Sequence, residues 1–322
     1  MINLLQKQKS SLLASAMLLV LLAVMTLPAQ INHHGGRAGA FLRIGLGGRS
    51  MAMGNTGAAM PGGAYAFFSN PALTGLEGKK VAALSGNFMS LDRYAYFAGY
   101  TAPVPPKAAV ALGWLTSGTG NLRSYNSIGQ DVGGINHAMH AIYGTFMRTF
   151  GPDLRVGANL KMVIENINDG TAEFDYSALG VGGDVGLYYR WSDNLGLALV
   201  VENMGVDLKA NTEKIFSRGG NTSFSLPVIY KAGMFYNTPL SWLNVAYDFV
   251  TSDQSEFEHR LGVEALYSEN IALRMGFNGT RFTYGAGMDF KFMGKVSYLD
   301  YVFASSVVDE GASHLFSWQF FF

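Results

Sequence analysis

The chain ends on Phe316-Ser317-Trp318-Gln319-Phe320-Phe321-Phe322. A β-strand places alternate side chains on opposite faces, so the aromatic residues at the even positions share one face and Ser317 and Gln319 share the other. Such an aromatic ridge promotes aggregation in a soluble protein, whereas it suits a strand with lipid on one side and polar atoms on the other. The stretch therefore predicts a membrane-embedded last strand. The alternative is a buried last strand in a soluble β-sandwich.

A terminal aromatic residue with further aromatic residues two and four positions upstream resembles the assembly signal of bacterial outer-membrane β-barrels. The residues that match this signal are Trp318, Phe320 and Phe322. The resemblance implies that the barrel-assembly machinery is a partner and that outer-membrane lipid surrounds the protein in the bacterial cell.

The other end of the chain has the pattern of a secretory signal peptide, predicted to span residues 1–29. Lys7 and Lys9 precede an apolar run from Leu12 to Leu27, and Ala29 supplies the small residue for cleavage. This run is shorter than the about 20 residues that a transmembrane helix needs. No later stretch approaches that length without charged residues or glycine, so we expect no transmembrane helix in the mature chain.

The composition favours a membrane protein that crosses the bilayer with strands. Hydrophobic residues make up 49% of the chain and charged residues 14%, against about 25% charged residues in soluble domains. The 23 basic and 23 acidic residues give zero net charge, which argues against nucleic acid as a partner. Cysteine is absent, so disulfides, thiolate metal sites and a lipoprotein anchor are excluded.

Strand-like alternation begins near Lys80 and continues to the end of the chain. In the range 154–165, for example, the even positions from Val156 to Ile164 are apolar, while Arg155, Asn159 and Lys161 occupy odd positions. Counting such segments between turn signals gives about fourteen strands, an even number as bacterial barrels require. We therefore predict an all-β fold, with residues 79–322 forming a transmembrane antiparallel β-barrel.

The connections support this interpretation because short and long ones alternate. Short periplasmic turns are predicted at 103–106, 151–153, 192–194, 237–239, 268–270 and 293–295, where glycine, proline, asparagine and aspartate are frequent. The longer extracellular connections are predicted at 117–138, 166–177 and 203–221.

Charged residues in the strands are predicted to face the lumen, because a charge on the lipid face costs about 2–4 kcal/mol at the bilayer midplane. We interpret them as a polar wall bonded to a plug, with an ion-selective pore as the alternative. The predicted lumen-facing residues are Arg155, Lys161, Glu165, Asp184, Arg190, Glu202, Arg260, Glu264, Arg274, Asp289 and Lys291.

Residues 30–78 do not alternate and are rich in glycine and alanine. A barrel of about fourteen strands has an interior too wide for side chains alone to fill. The segment is therefore predicted to be a plug, or hatch, inside the barrel.

At this segment the sequence resembles a known family. The run Ala40-Phe41-Leu42-Arg43-Ile44-Gly45, the later Ala52-Met53-Gly54 and the triplet Asn70-Pro71-Ala72 resemble the start of PorV/PorQ outer-membrane proteins, which are related to the long-chain fatty-acid transporter (FadL-like) barrels. The triplet is similar to one in the hatch of fatty-acid transporters. The resemblance implies a hatch motif comprising Arg43, Gly45, Arg49, Gly54, Asn70, Pro71 and Ala72.

The PorV/PorQ resemblance implies an accessory part in type IX protein secretion, with the translocon or its secreted cargo as partner. The alternative is a FadL-like channel for uptake of fatty acids or other hydrophobic small molecules. That alternative predicts an apolar pocket near the plug, using Phe97 or Tyr188 of the wall and Phe41 or Phe67 of the plug.

Patterns for other chemistry are weak. His137 and His140 point to opposite sides of a strand, and Gly45-Leu46-Gly47-Gly48 lacks the third spaced glycine of a phosphate-binding loop. Ser313-His314 belongs to no recognisable nucleophile motif. We therefore predict a non-enzyme without catalytic residues, cofactor or metal.

Overall fold

The computed structural model describes residues 38–171, 174–213, 215, 218–253, 255–279, 281–305 and 311–322. The predicted signal peptide and the first part of the predicted plug lie outside these residues. Within them, no helix has both the length and the hydropathy required to cross a bilayer.

The described residues form one antiparallel sheet of 16 strands. The strands are β1 (Val81–Phe88), β2 (Arg93–Val104), β3 (Ala108–Tyr125), β4 (Asp131–Phe150), β5 (Leu154–Asn168), β6 (Asp175–Ser192), β7 (Leu195–Met204), β8 (Asp207–Asn211), β9 (Asn221–Ser225), β10 (Ile229–Asn237), β11 (Leu243–Ser252), β12 (Ser255–Ser268), β13 (Ile271–Phe277), β14 (Phe282–Phe292), β15 (Lys295–Ala304) and β16 (Ser313–Phe321).

Fourteen of these strands close into a barrel. Strand β7 pairs with β10, β5 pairs with β6, and β1 pairs with β16 at the seam, so that β8 and β9 stand outside the cycle as a hairpin. Removing this pair from the 16 strands leaves the 14 that were predicted. The all-β, transmembrane antiparallel barrel is therefore confirmed.

The alternation within each strand separates a lumen face from an outer face. In β16, Ser317 and Gln319 are buried, whereas Phe316 is 50% exposed. In β5, Asn159 and Lys161 are buried, whereas Leu160 is 67% exposed. Exposed apolar side chains on the outside of a closed barrel are suited to hydrocarbon.

The six predicted periplasmic turns all connect consecutive strands at the end of the barrel where β1 begins and β16 finishes. The opposite end is less simple. The connection predicted at 117–138 is mostly regular structure, because β3 and β4 have 18 and 20 residues, well beyond the about 9–11 that span a bilayer. The two strands therefore continue past the membrane on the extracellular side.

Residues 38–78, named the inner segment here, lie within the barrel. They form two short helices, α1 (Gly48–Ala52) and α2 (Ala66–Ser69), and 3₁₀ turns at Ala40–Arg43, Gly63–Tyr65 and Pro71–Leu73. The segment contacts β1 and β2, β4 to β6, and β13 to β16. Because these strands surround it, its place is the lumen.

Glycine in the wall permits this close packing. A Cβ on Gly276 would collide with the backbone of Met53 and Gly54, and a Cβ on Gly157 would collide with the backbone of Pro71. Because Gly276 and Gly157 have no side chain, the backbone of the inner segment can lie directly against β13 and β5.

We expect Gly276→Ala to destabilise the protein by about 1–3 kcal/mol, the usual cost of overpacking a filled interior. Gly144→Ala is the matched control, since a Cβ on Gly144 in β4 would have nothing within 4 Å. Guanidinium unfolding of the purified proteins in detergent measures both changes. Equal denaturation midpoints for the two variants would contradict the close contact between Gly276 and the inner segment.

Candidate functional site

Arg49 of the inner segment binds Glu264 of β12 with two nitrogens. Its Nε lies 2.9 Å and its Nη2 2.5 Å from the carboxylate oxygens. The same carboxylate accepts hydrogen bonds from Arg274 Nε at 2.7 Å and from Asn244 Nδ2 at 3.0 Å. One buried acid therefore joins the inner segment to two neighbouring strands.

Side chains of the wall also form hydrogen bonds with backbone groups of the inner segment. Four wall residues take part. Asp248 accepts hydrogen bonds from Gly57 N and Ala58 N (2.8 and 3.0 Å), and Thr283 accepts one from Gly54 N (3.1 Å) and donates one to Ala52 O (3.0 Å). Ser317 accepts a hydrogen bond from Gly48 N (3.1 Å), and Gln319 accepts one from Ala64 N (3.0 Å). Sequence reasoning did not select these four wall residues, although the inward position of each follows from strand alternation.

The Asn-Pro-Ala triplet lies against β5 and β6. Asn70 accepts a hydrogen bond from Ala72 N at 2.9 Å, and its Nδ2 donates to Ala58 O at 2.6 Å. Asn70 and Ala72 are fully buried, and Pro71 packs on Gly157 and Gly186. The triplet thus forms a compact turn that fits a glycine-lined part of the wall.

The remaining motif residues shape the first part of the inner segment. Gly45 and Gly54 have φ values of 88° and 71°, which glycine adopts readily. The carbonyl of Arg43 lies 3.5 Å from Asn55 Nδ2, and the side chain of Arg43 lines a small cavity described below.

Most of the predicted lumen-facing charges form ion pairs, which join different strands except for the Arg260–Glu258 pair within β12. These pairs are Lys161–Asp184 (2.6 Å), Lys231–Glu202 (2.5 Å), Arg260–Glu258 (2.7 Å), Arg274–Glu264 (2.7 Å), Arg274–Asp300 (2.6 Å) and His137–Glu165 (3.1 Å). Such mutual pairing accounts for charged groups in a largely filled lumen.

Four predicted residues lie towards the periplasmic end. Arg190 is exposed and pairs with Asp153 in the adjacent turn, and Lys291 is exposed at the end of β14. Asp289 is half-buried beside a cavity. Arg155 is half-buried, and its Nη1 atom is buried without a partner in the described residues.

An apolar cluster fills the space between the inner segment and the wall. Its aromatic centre combines Tyr65 and Phe67 of the inner segment with Phe97 and Tyr143 of the wall, at ring-centroid distances of 5.3 to 6.1 Å. The cluster also contains Phe41, Leu42, Leu46, Leu115, Val163, Val206, Leu208, Ala210 and Leu226. Phe41, Phe67 and Phe97 belong to this packed cluster, whereas Tyr188 packs on a different one. The apolar pocket that the transport hypothesis places at these residues stays a prediction.

Among the described residues, the cavities beside the inner segment include a small and a larger one. A small one of about 40 Å³ is lined by Leu42, Arg43, Phe68, Glu202, Ile229, Lys231 and Arg260, among others. A larger one of about 310 Å³ lies on the periplasmic side and is lined by residues that include Arg49, Glu77, Arg274, Asp289 and Tyr298. In the described part of the chain, no group of three or more metal-binding side chains occurs.

The comparisons with known proteins identify the fold. Neither a family model nor a curated protein matches the sequence. Among solved structures, the toluene transporter TodX of Pseudomonas putida matches with a TM-score of 0.62 and 16% identity, covering 86% of this chain and 98% of that chain. A FadL homologue of Pseudomonas aeruginosa matches with a TM-score of 0.59 and 11% identity, covering 87% and 98%.

A TodX deletion mutant, described as a monoaromatic hydrocarbon channel, matches with a TM-score of 0.61 and 15% identity, covering 86% and 98%. At these identities the likeness concerns the fold. The fold is that of the FadL-like outer-membrane barrels. Together with the apolar outer face, it places the protein in the bacterial outer membrane.

Proposed function

We propose that the protein is an outer-membrane channel for uptake of small hydrophobic molecules. The observation that carries the proposal is the apolar cluster in the lumen, which the inner segment and the wall build together. Barrels that conduct hydrophilic solutes have a polar, water-filled interior. Moving the inner segment away from Phe97, Leu115 and Tyr143 would instead open an apolar passage.

The fold neighbours support this proposal, since TodX is described as a toluene transporter and a monoaromatic hydrocarbon channel. The small cavity has apolar lining from Leu42 and Phe68. Its charged lining is already paired, Lys231 with Glu202 and Arg260 with Glu258, so the proposal rests on the apolar cluster.

The role in type IX secretion, implied by the resemblance to PorV/PorQ proteins, stays a prediction. No contact or cavity of the described residues favours it over uptake. Deleting the gene separates the two functions: an unchanged set of secreted proteins alongside lost uptake of a labelled fatty acid is expected.

The direct test measures uptake of labelled toluene and of a labelled long-chain fatty acid by a host without its own hydrophobic channels. We expect expression of the protein to raise uptake of at least one of them. Leu115→Gln should lower that uptake about ten-fold or more, because a passage lined by a polar amide disfavours an apolar solute by about 1–3 kcal/mol.

Leu115→Met is the matched control, since it keeps an apolar side chain of similar size at the same fully buried position. Uptake at the level of the empty host for both compounds, combined with passage of a small sugar, would refute the proposal.

A further inference from the structure

The chain leaves the barrel wall after β7. Asn203 and Gly205 have φ values of 64° and 68°, so the backbone turns sharply where β7 ends. Strand β10 then begins at Ile229, opposite Glu202 of β7. The described residues between these points include the hairpin of β8 and β9, in which β9 pairs with β8 and with no other described strand.

The hairpin crosses the inner face of β6. A Cβ on Gly180 would lie 2.9 Å from the carbonyl oxygen of Asp207, and a Cβ on Gly182 would collide with Val206. Both glycines share the inward face with the buried Asp184. The hairpin therefore turns towards the lumen at the extracellular end of the barrel.

One side of the hairpin is apolar and belongs to the lumen cluster. Val206, Leu208 and Leu226 are 1% to 3% exposed and pack with Phe41 and Leu42 of the inner segment. The other side is exposed, and it comprises Lys209 and every residue of β9, including the apolar Phe224. The hairpin thus separates the apolar cluster from extracellular solvent.

A buried network fixes the base of the hairpin. Asp184 accepts hydrogen bonds from Asn203 N at 2.8 Å and from Lys161 Nζ at 2.6 Å. Lys161 also donates to Asn203 Oδ1 at 2.6 Å, and Asn203 Nδ2 donates to Pro227 O at 2.9 Å. Both ends of the hairpin are therefore held by one side chain, that of Asn203.

Beyond this base, the hairpin is held mainly by apolar packing rather than by strand pairing. Strand β8 is in register with β6 at two pairs, Ala178 with Ala210 and Leu179 with Lys209, while Val206, Leu208 and Leu226 pack into the lumen cluster. A hydrogen-bonded base and an arm with little strand pairing form a hinge. The apolar contacts that opening would break are ones that an entering hydrophobic molecule can replace.

We propose that the β8–β9 hairpin is an extracellular lid, which swings outward about Asn203 and Gly205 to admit hydrophobic molecules to the lumen cluster. The proposal rests on the proposed uptake function and specifies where the entry of hydrophobic molecules is controlled. In the closed position the lid packs on Phe41 and Leu42 of the cluster, and in the open position it exposes them.

A reversible cross-link tests the lid. The sequence contains no cysteine, and Ala178 and Ala210 are directly opposed in antiparallel strands, a geometry that a disulfide can span. In the Ala178→Cys/Ala210→Cys variant, oxidation should reduce uptake to the level of the empty host, and a reductant should restore it.

The control is Ala304→Cys/Ser313→Cys, which links opposed positions of β15 and β16 in the wall, outside the lumen cluster. Oxidation of this pair should leave uptake unchanged. Equal uptake by the oxidised and reduced Ala178→Cys/Ala210→Cys variant would overturn the lid, while the uptake function would stand.

A second measurement does not depend on transport. Hydrogen exchange of the full-length purified protein should show amides of 206–211 and 221–226 exchanging about ten-fold faster than those of β6 and β7, because the hairpin opens locally. Oxidation of the engineered pair should slow them. If the hairpin amides of the reduced protein exchange as slowly as those of β6 and β7, the lid proposal is wrong, even if no apolar compound is taken up.

Discussion

Lys161→Met is expected to destabilise the barrel by about 3–5 kcal/mol, because it leaves Asp184 as a buried carboxylate without its cation. The Lys161 and Asp184 side chains are 3% and 2% exposed, and their charged atoms are 2.6 Å apart. Guanidinium unfolding of the purified protein in detergent, followed by tryptophan fluorescence, gives the change in free energy of unfolding.

Arg190→Met provides the comparison, since it breaks the Arg190–Asp153 pair, whose side chains are 48% and 35% exposed. Exposed pairs contribute about 0–1 kcal/mol. Replacing both buried partners, in Lys161→Met/Asp184→Leu, should recover part of the loss because no uncompensated charge remains. A Lys161→Met protein as stable as the Arg190→Met protein would show that the buried pair does not hold this part of the wall.

Glu264→Ala is expected to release the inner segment and to produce open-channel current in planar lipid bilayers where the parent protein passes little. The substitution removes the acceptor shared by Arg49, Arg274 and Asn244. The half-buried Arg49 and the largely buried Arg274 then lose the carboxylate between them, and truncating one partner of a buried pair costs about 3–5 kcal/mol. Single-channel recording measures the open time.

Glu269→Ala is the control, because Glu269 is exposed in the turn that follows the same strand. Arg49→Met should also raise the current, since it detaches only the inner segment and leaves the Glu264–Arg274 pair in the wall. If Glu264→Ala and Glu269→Ala conduct equally, the contact between Arg49 and Glu264 does not hold the lumen closed.

The barrel could be predicted from the sequence because lipid and lumen impose opposite requirements on successive residues of every strand. In β5, the polar positions Asn159 and Lys161 alternate with apolar ones, and this alternation alone assigns their direction. Strand number followed from turn signals such as Gly151-Pro152-Asp153, whose residue types have strong local preferences.

The contacts of the inner segment could not be predicted in the same way. Arg49 and Glu264 are 215 positions apart, and strand alternation shows which side a residue faces but not which residue lies opposite across a lumen. Of the predicted charges, Arg190 lies on the inward-facing side of its strand but beyond the interior of the barrel. Strand alternation shows which side a residue faces, but not how far along the barrel axis it lies.

The hairpin of β8 and β9 was missed for a different reason. The range 203–221 contains asparagine and glycine at the points of positive φ, a pattern also typical of ordinary extracellular loops. A signal was nevertheless present, since Val206, Leu208 and Ala210 alternate with Asp207 and Lys209 as in a half-buried strand.

Strand β16 has consequences for biogenesis. Its outer face carries the aromatic residues that match the assembly signal, while Ser317 and Gln319 on its inner face accept hydrogen bonds from Gly48 and Ala64. The same strand pairs with β1 at the seam. Strand β16 thus both closes the barrel and anchors the inner segment, so loss of this one strand removes both functions in a single step.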